Sequence, residues 1–104
     1  MKQLIVLETN ESSMGLSYKG KIVGYKFIEL FAALGAPTLD EGSSTESHVE
    51  WCVDFKGDVF TIYDWNVGDR IRVLGENESW NIGGKKHAGE FIEHVINLME
   101  KNRK

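Results

Sequence analysis

The chain has 104 residues, 41% of them hydrophobic, with 12 basic against 16 acidic side chains and a formal charge of −4. That length holds one domain, 1–104, whose core closes without disulfide or metal, and the lone Cys52 excludes a disulfide framework and a cysteine zinc site. The acidic balance argues against long nucleic acid as a partner, because such binding depends on neutralising phosphates.

Gln3 to Glu8 is short, β-branched and bounded by a polar turn, which predicts a buried strand. Its apolar run, Leu4 to Leu7, is far too short for a signal core or a membrane span, so the expectation is a soluble cytoplasmic protein with no membrane partner. A second extended piece is expected over Ser17 to Ile22. From Lys26 the period changes: Phe27, Leu30, Phe31 and Leu34 form one helical stripe, stopped by Gly35 and Pro37, which predicts a helix over 25–35. Asp40 to Ser47 is polar and reads as an exposed loop.

Val49 to Phe55 alternates with period two, and Asp58 to Trp65 is rich in β-formers, with Lys56-Gly57 suited to a tight turn between them. A two-residue loop pairs Phe55 with Asp58, Val53 with Phe60 and Trp51 with Ile62. It puts Val49, Trp51, Val53, Phe55, Phe60 and Ile62 on the core face. Glu50, Cys52, Asp54, Val59, Thr61, Tyr63 and Trp65 then share the other face. Turn signals at Asn66, Gly68-Asp69 and Gly75 to Asn77 surround Ile71 to Leu74, read as a short extra strand. Trp80 to Ile82 reads as an edge strand ended by Gly83-Gly84. The last element is a helix from His87 to Asn102 that buries Ala88, Phe91, Ile92, Val95, Leu98 and Met99. The sum is an α+β fold, a small antiparallel sheet of 4–5 strands with two helices packed on one face.

The segment from Phe27 to Pro37, Glu50-Trp51, Ile62-Tyr63-Asp64-Trp65 and Trp80-Asn81-Ile82-Gly83-Gly84 together resemble small accessory proteins of tailed bacteriophages. Asn66 stands where that pattern often has a basic residue. The resemblance implies expression inside a host bacterial cell and an anti-defence role, through binding a host enzyme or sequestering its nucleotide signal.

No catalytic constellation stands out, so the chain reads as noncatalytic and without a cofactor. Cys52 lies mid-strand, away from the helix starts and cationic partners that activate thiols. His87, Glu90 and His94 share one helix face, as a metal patch or a plain solvated surface. The aromatic set is more telling, since Tyr63 and Trp65 leave the core face and Trp80 lies nearby, as in a stacking site. Gly83-Gly84-Lys85-Lys86-His87, at the expected start of the last helix, suits an anion cradle, with Arg70 and Arg72 joining it if residues 66–79 fold back. Charge is also uneven. Asp40 to Asp64 holds seven acids against one lysine, and 85–104 holds five basic against three acidic residues.

The reading expected from these residues is a binder of a small nucleotide-like ligand. Its phosphate would sit at Gly83 to His87 and its base on Tyr63, Trp65 or Trp80, in a homo-oligomer that builds pockets between subunits. The competing reading is an inhibitor that presents its acidic aromatic hairpin to a host defence protein.

Overall fold

The structure is a computed structural model that describes residues 4–8, 16–40, 48–65 and 70–103. In chain order the elements are Leu4–Val6 (β1), Ser17–Val23 (β2), Phe27–Leu34 (α1), Leu39–Asp40 (β3) and Val49–Phe55 (β4). Asp58–Tyr63 (β5), Arg70–Gly75 (α2), Ser79–Gly84 (β6) and Gly89–Asn102 (α3) follow. All pairings are antiparallel, in the order β1-β4-β5-β6-β2, with β3 also on the edge of β4. The α+β class is as expected from the sequence, with six strands and three helices among the described residues instead of four or five and two.

The β4–β5 hairpin has the register that its period-two pattern dictates: Phe55 faces Asp58, Val53 faces Phe60, and Trp51 faces Ile62. Lys56 at φ 54° and Gly57 at φ 89° give the two positive angles of a twist-matched two-residue turn. Asp54 accepts the Gly57 N–H at 3.0 Å and steadies that turn.

All three helices bury residues in a single cluster on one face of the sheet. Leu30 of α1, Val73 of α2, and Phe91, Val95 and Met99 of α3 join Trp51, Phe60, Ile62, Trp80 and Ile82 from the strands. Phe60 and Phe91 stack at 4.6 Å with 8° between planes, and Trp51 meets Trp80 edge-on at 5.8 Å. A second tie joins the start of α1 to the end of α3. Arg103 bonds Glu29 at 2.6 Å and the Gly24 carbonyl at 3.1 Å, lies over the Tyr25 ring, and Tyr25 donates its hydroxyl hydrogen to Glu100. The Arg103 bond holds the Glu29 carboxyl below its ordinary range, and the Glu100 bond raises the Tyr25 phenol.

The edge of β4 is shared. β1 covers residues 53–55, β3 covers 49–50, and the Thr38 hydroxyl fills the junction. That hydroxyl accepts the Cys52 N–H at 2.9 Å and donates to the Leu7 carbonyl at 2.7 Å, so no ladder group is stranded there.

Three expectations are corrected. Ile71 to Leu74 is helical, not a strand: Val73 turns inward and Ile71 outward, and Glu76 and Asn77 N–H groups both close onto the Arg72 carbonyl. Trp80 to Ile82 is not an edge, because β6 lies between β5 and β2. Gly83-Gly84 does not end that strand but completes it, paired with Thr61 and Phe60 on one side and Tyr18 and Ser17 on the other. The loop expected over 40–47 lies outside the described residues, except Asp40, which closes β3. The turn signals at Asn66, Gly68 and Asp69 lie outside them as well.

Candidate functional site

Alternation along the hairpin sends Glu50, Cys52, Thr61 and Tyr63 to the face opposite the helices, where β6 contributes Asn81 and Gly83. A hollow of about 240 Å³ lies there, walled by Glu50, Thr61, Tyr63, Trp65 and Gly83. Leu16 and Ser17, where the chain enters β2, complete its rim. Pockets for drug-sized ligands run to roughly 300–1,000 Å³. This one is the size of a fragment, such as a single heterocycle.

Its floor is made by glycine. A Cβ on Gly83 would stand 2.6 Å from the Thr61 Oγ1, and one on Gly84 would stand 2.7 Å from the Phe60 ring on the opposite face. The two glycines serve close packing within a central strand, and their backbone groups belong to ladders on both sides. The expected anion cradle at a helix start is therefore corrected: Gly83 and Gly84 are buried, and α3 begins only at Gly89.

The aromatic wall is the pair Tyr63 and Trp65, edge to face at 6.2 Å, with Trp65 47% exposed. Tyr63 also hydrogen-bonds Asn81; burial raises its phenol above the ordinary range, that bond lowers it, and the Glu50 charge raises it. Trp80 does not belong with them. It is fully buried on the helix side and donates its indole N–H to the Tyr25 carbonyl at 2.8 Å, so the sequence expectation of a third stacking ring is corrected.

Across the hairpin from Tyr63 stands Glu50. Its Oε2 is closed off from solvent and is, among the described residues, the one buried side-chain polar atom without a hydrogen-bond partner. Burial pushes the Glu50 carboxyl up from its ordinary range. The Cys52 thiol is raised too, by burial first and by the Glu50 charge second, which is the reverse of an activated nucleophile. Nothing in the alternation pattern separates Glu50 from an ordinary solvent-facing acid; its missing partner shows only once the strands are paired.

One strand step from Thr61, about 7 Å along β5, a second hollow of about 200 Å³ is lined by Gly57, Asp58, Val59, Lys85 and Lys86. Lys86 pairs with Asp58 at 3.2 Å, and both lysines are exposed. His87 is exposed as well, its ring folded against Gly89. Arg72 is exposed and pairs with Glu76 at 3.9 Å. Arg70 opens α2, and its side chain lies outside the described residues. Because α2 precedes β6 and the lysines follow it, the length of that strand, about 20 Å, separates the two basic groups. The expected joint patch of Arg70 and Arg72 with the lysines is thus corrected.

Asp64 is the other acid that sequence reasoning left unassigned. It is fully buried at the end of β5, accepting the His48 N–H at 2.7 Å, the Val49 N–H at 2.9 Å and the His48 Nδ1 at 3.0 Å. It ties the two ends of the hairpin. Of the helix face that reads as a metal patch or a plain solvated surface, Glu90 pairs with Lys56 and His94 packs on Phe55 at 5.2 Å, and no three ligating side chains cluster among the described residues. No helix among the described residues is long and apolar enough to cross a membrane.

No family model, no curated protein and no solved structure matches the chain.

Proposed function

We propose that the chain is a noncatalytic binder of a small nucleotide-like anion, and that as a phage-type accessory protein it sequesters a host signal of that class. The observation that carries this reading is the sequence of two hollows along β5 and β6. The first has an aromatic wall and the second has lysines. A base resting against the Trp65–Tyr63 wall would direct its phosphate along β5 toward Lys85 and Lys86; Val59, the residue of the second hollow nearest in sequence, is four residues or about 13 Å from Tyr63. Stacking contributes about 1–3 kcal/mol per base, and charge-assisted bonds to phosphate add to it.

The competing reading, an acidic hairpin docked on a host defence protein, loses ground because the acids are largely occupied. Asp64 is buried, Asp54 holds the turn, and Asp58 is paired with Lys86.

A thermal-shift and calorimetric screen of purine and pyrimidine monophosphates against their nucleosides tests the reading. A ligand at 100 times its Kd adds about 2.7 kcal/mol of stability. Monophosphates should bind more tightly than nucleosides, and a Lys85→Glu/Lys86→Glu double variant should erase that difference. No shift with any nucleotide, alongside capture of a purified host enzyme, would sink it.

A further inference from the structure

We infer that the hollow on the uncovered sheet face selects guanine among the bases, with the Glu50 carboxylate as the acceptor that reads its donor edge. This deepens the nucleotide reading above and rests on it. A buried acceptor without a partner is costly, and native proteins retain few of them. Here that atom belongs to a side chain that lines a cavity of fragment size, across the hairpin from Tyr63 and beside Trp65. The cavity is therefore bordered by a π surface and by a carboxylate whose enclosed oxygen meets no donor among the described residues.

The chemistry of the acceptor narrows the ligand. A carboxylate only accepts, and its two oxygens are best met by two parallel N–H groups. Guanine offers a ring N–H and an adjacent exocyclic amine on a single edge. Adenine and cytosine set their amine beside an acceptor nitrogen, and uracil sets one N–H between two carbonyls. Each of those arrangements brings a lone pair against a carboxylate oxygen. The terminal torsion of a glutamate is soft, so rotation about it can turn the enclosed Oε2 toward the cavity, where both oxygens would meet such a pair. The remaining polar groups at the rim, the Thr61 and Ser17 hydroxyls, both donate and accept, and so do not oppose this choice.

The experiment is calorimetry of the intact chain with guanosine, inosine and adenosine monophosphates, repeated on Glu50→Gln. Inosine monophosphate keeps the ring N–H and lacks the exocyclic amine. The expected order is guanosine, then inosine, then adenosine, with about tenfold or more between first and last, the size of a good bidentate base contact. In Glu50→Gln the order should collapse to within about threefold while overall stacking affinity is kept. Adenosine monophosphate binding as tightly as guanosine monophosphate overturns the inference and leaves the nucleotide reading standing. So does a guanosine preference that survives in Glu50→Gln. Failure of all three to bind overturns both. Should the variant not fold, the guanosine-to-inosine ratio on the native chain decides alone, since a site that does not read the exocyclic amine binds the two equally.

Discussion

Two carboxylates of the same hairpin, Asp64 and Glu50, have opposite fates. Asp64 is wholly enclosed, and its oxygens take two backbone N–H groups and a histidine ring nitrogen. Glu50, two residues beyond His48, is half-buried with one oxygen enclosed and unmatched. Burial of an acid is thus not informative by itself; the count of donors around it is. Asp64 has its donors and is spent on architecture, while Glu50 Oε2 has none among the described residues.

The largest test of that contrast is Asp64→Ala. It strands two backbone donors at the mouth of the hairpin, each worth about 1–3 kcal/mol when buried and unsatisfied. Urea unfolding should show a loss of about 2–5 kcal/mol with the m-value unchanged. A loss under about 1 kcal/mol would show that Asp64 matters no more than a surface pair.

Glu50→Gln should move stability the other way. Burial raises the folded-state value of this carboxyl above the ordinary 4.5, so its favourable contribution is complete below that value and is lost as pH rises through the raised one. Cys52 and Tyr63, the titratable groups that face it, are raised as well and titrate far above that window. At pH 7 the Gln variant should therefore gain on the order of 1 kcal/mol, about 5 °C in Tm. The gain should vanish toward pH 4, and a melt series that shows a constant offset across pH would contradict the assignment.

Trp65→Ala comes next in size for stability and is the sharper test of the wall. The ring is half-exposed, so the melting midpoint should shift by less than about 0.5 kcal/mol, while nucleotide affinity falls about fivefold to a hundredfold. Equal affinity of variant and native chain would remove Trp65 from the site. The smallest expected change is Lys86→Ala, which breaks an exposed pair with Asp58 and should alter stability by no more than about 0.2 kcal/mol. Its effect on monophosphate binding should shrink as salt is raised, and a salt-independent effect would point to packing instead of charge.

What the amino-acid order disclosed depended on how local the cause was. The hairpin register was legible because alternation and the Lys56-Gly57 turn both lie within fifteen residues. The stripes of α1 and α3 were legible because each repeats over at least two turns. α2 was not, since six residues hold too few turns to show a period, and Val73 alone marks its inner face. Gly83 and Gly84 were misread for a different reason. A glycine pair looks like a turn unless Thr61 and Phe60, more than twenty residues earlier, are known to crowd the space a Cβ would need. Half of the site, Tyr63 with Trp65, followed from alternation. The other half did not, because the burial of Trp80 and the missing donor at Glu50 are facts about neighbours distant in sequence.

The divided border of β4 has a consequence for how copies of this chain meet. A long, regular outer strand is a template on which another sheet can grow. Here one flank is made of a three-residue and a two-residue segment joined through the Thr38 hydroxyl, and the opposite flank, β2, shifts register between Tyr18 and Gly20. Among the described residues, neither offers an unbroken run for strand-to-strand docking between molecules. The outer side of α1, where Ile28 is 71% and Phe31 44% exposed, is a side-chain surface through which copies could meet with the ladder of each protomer left as it is.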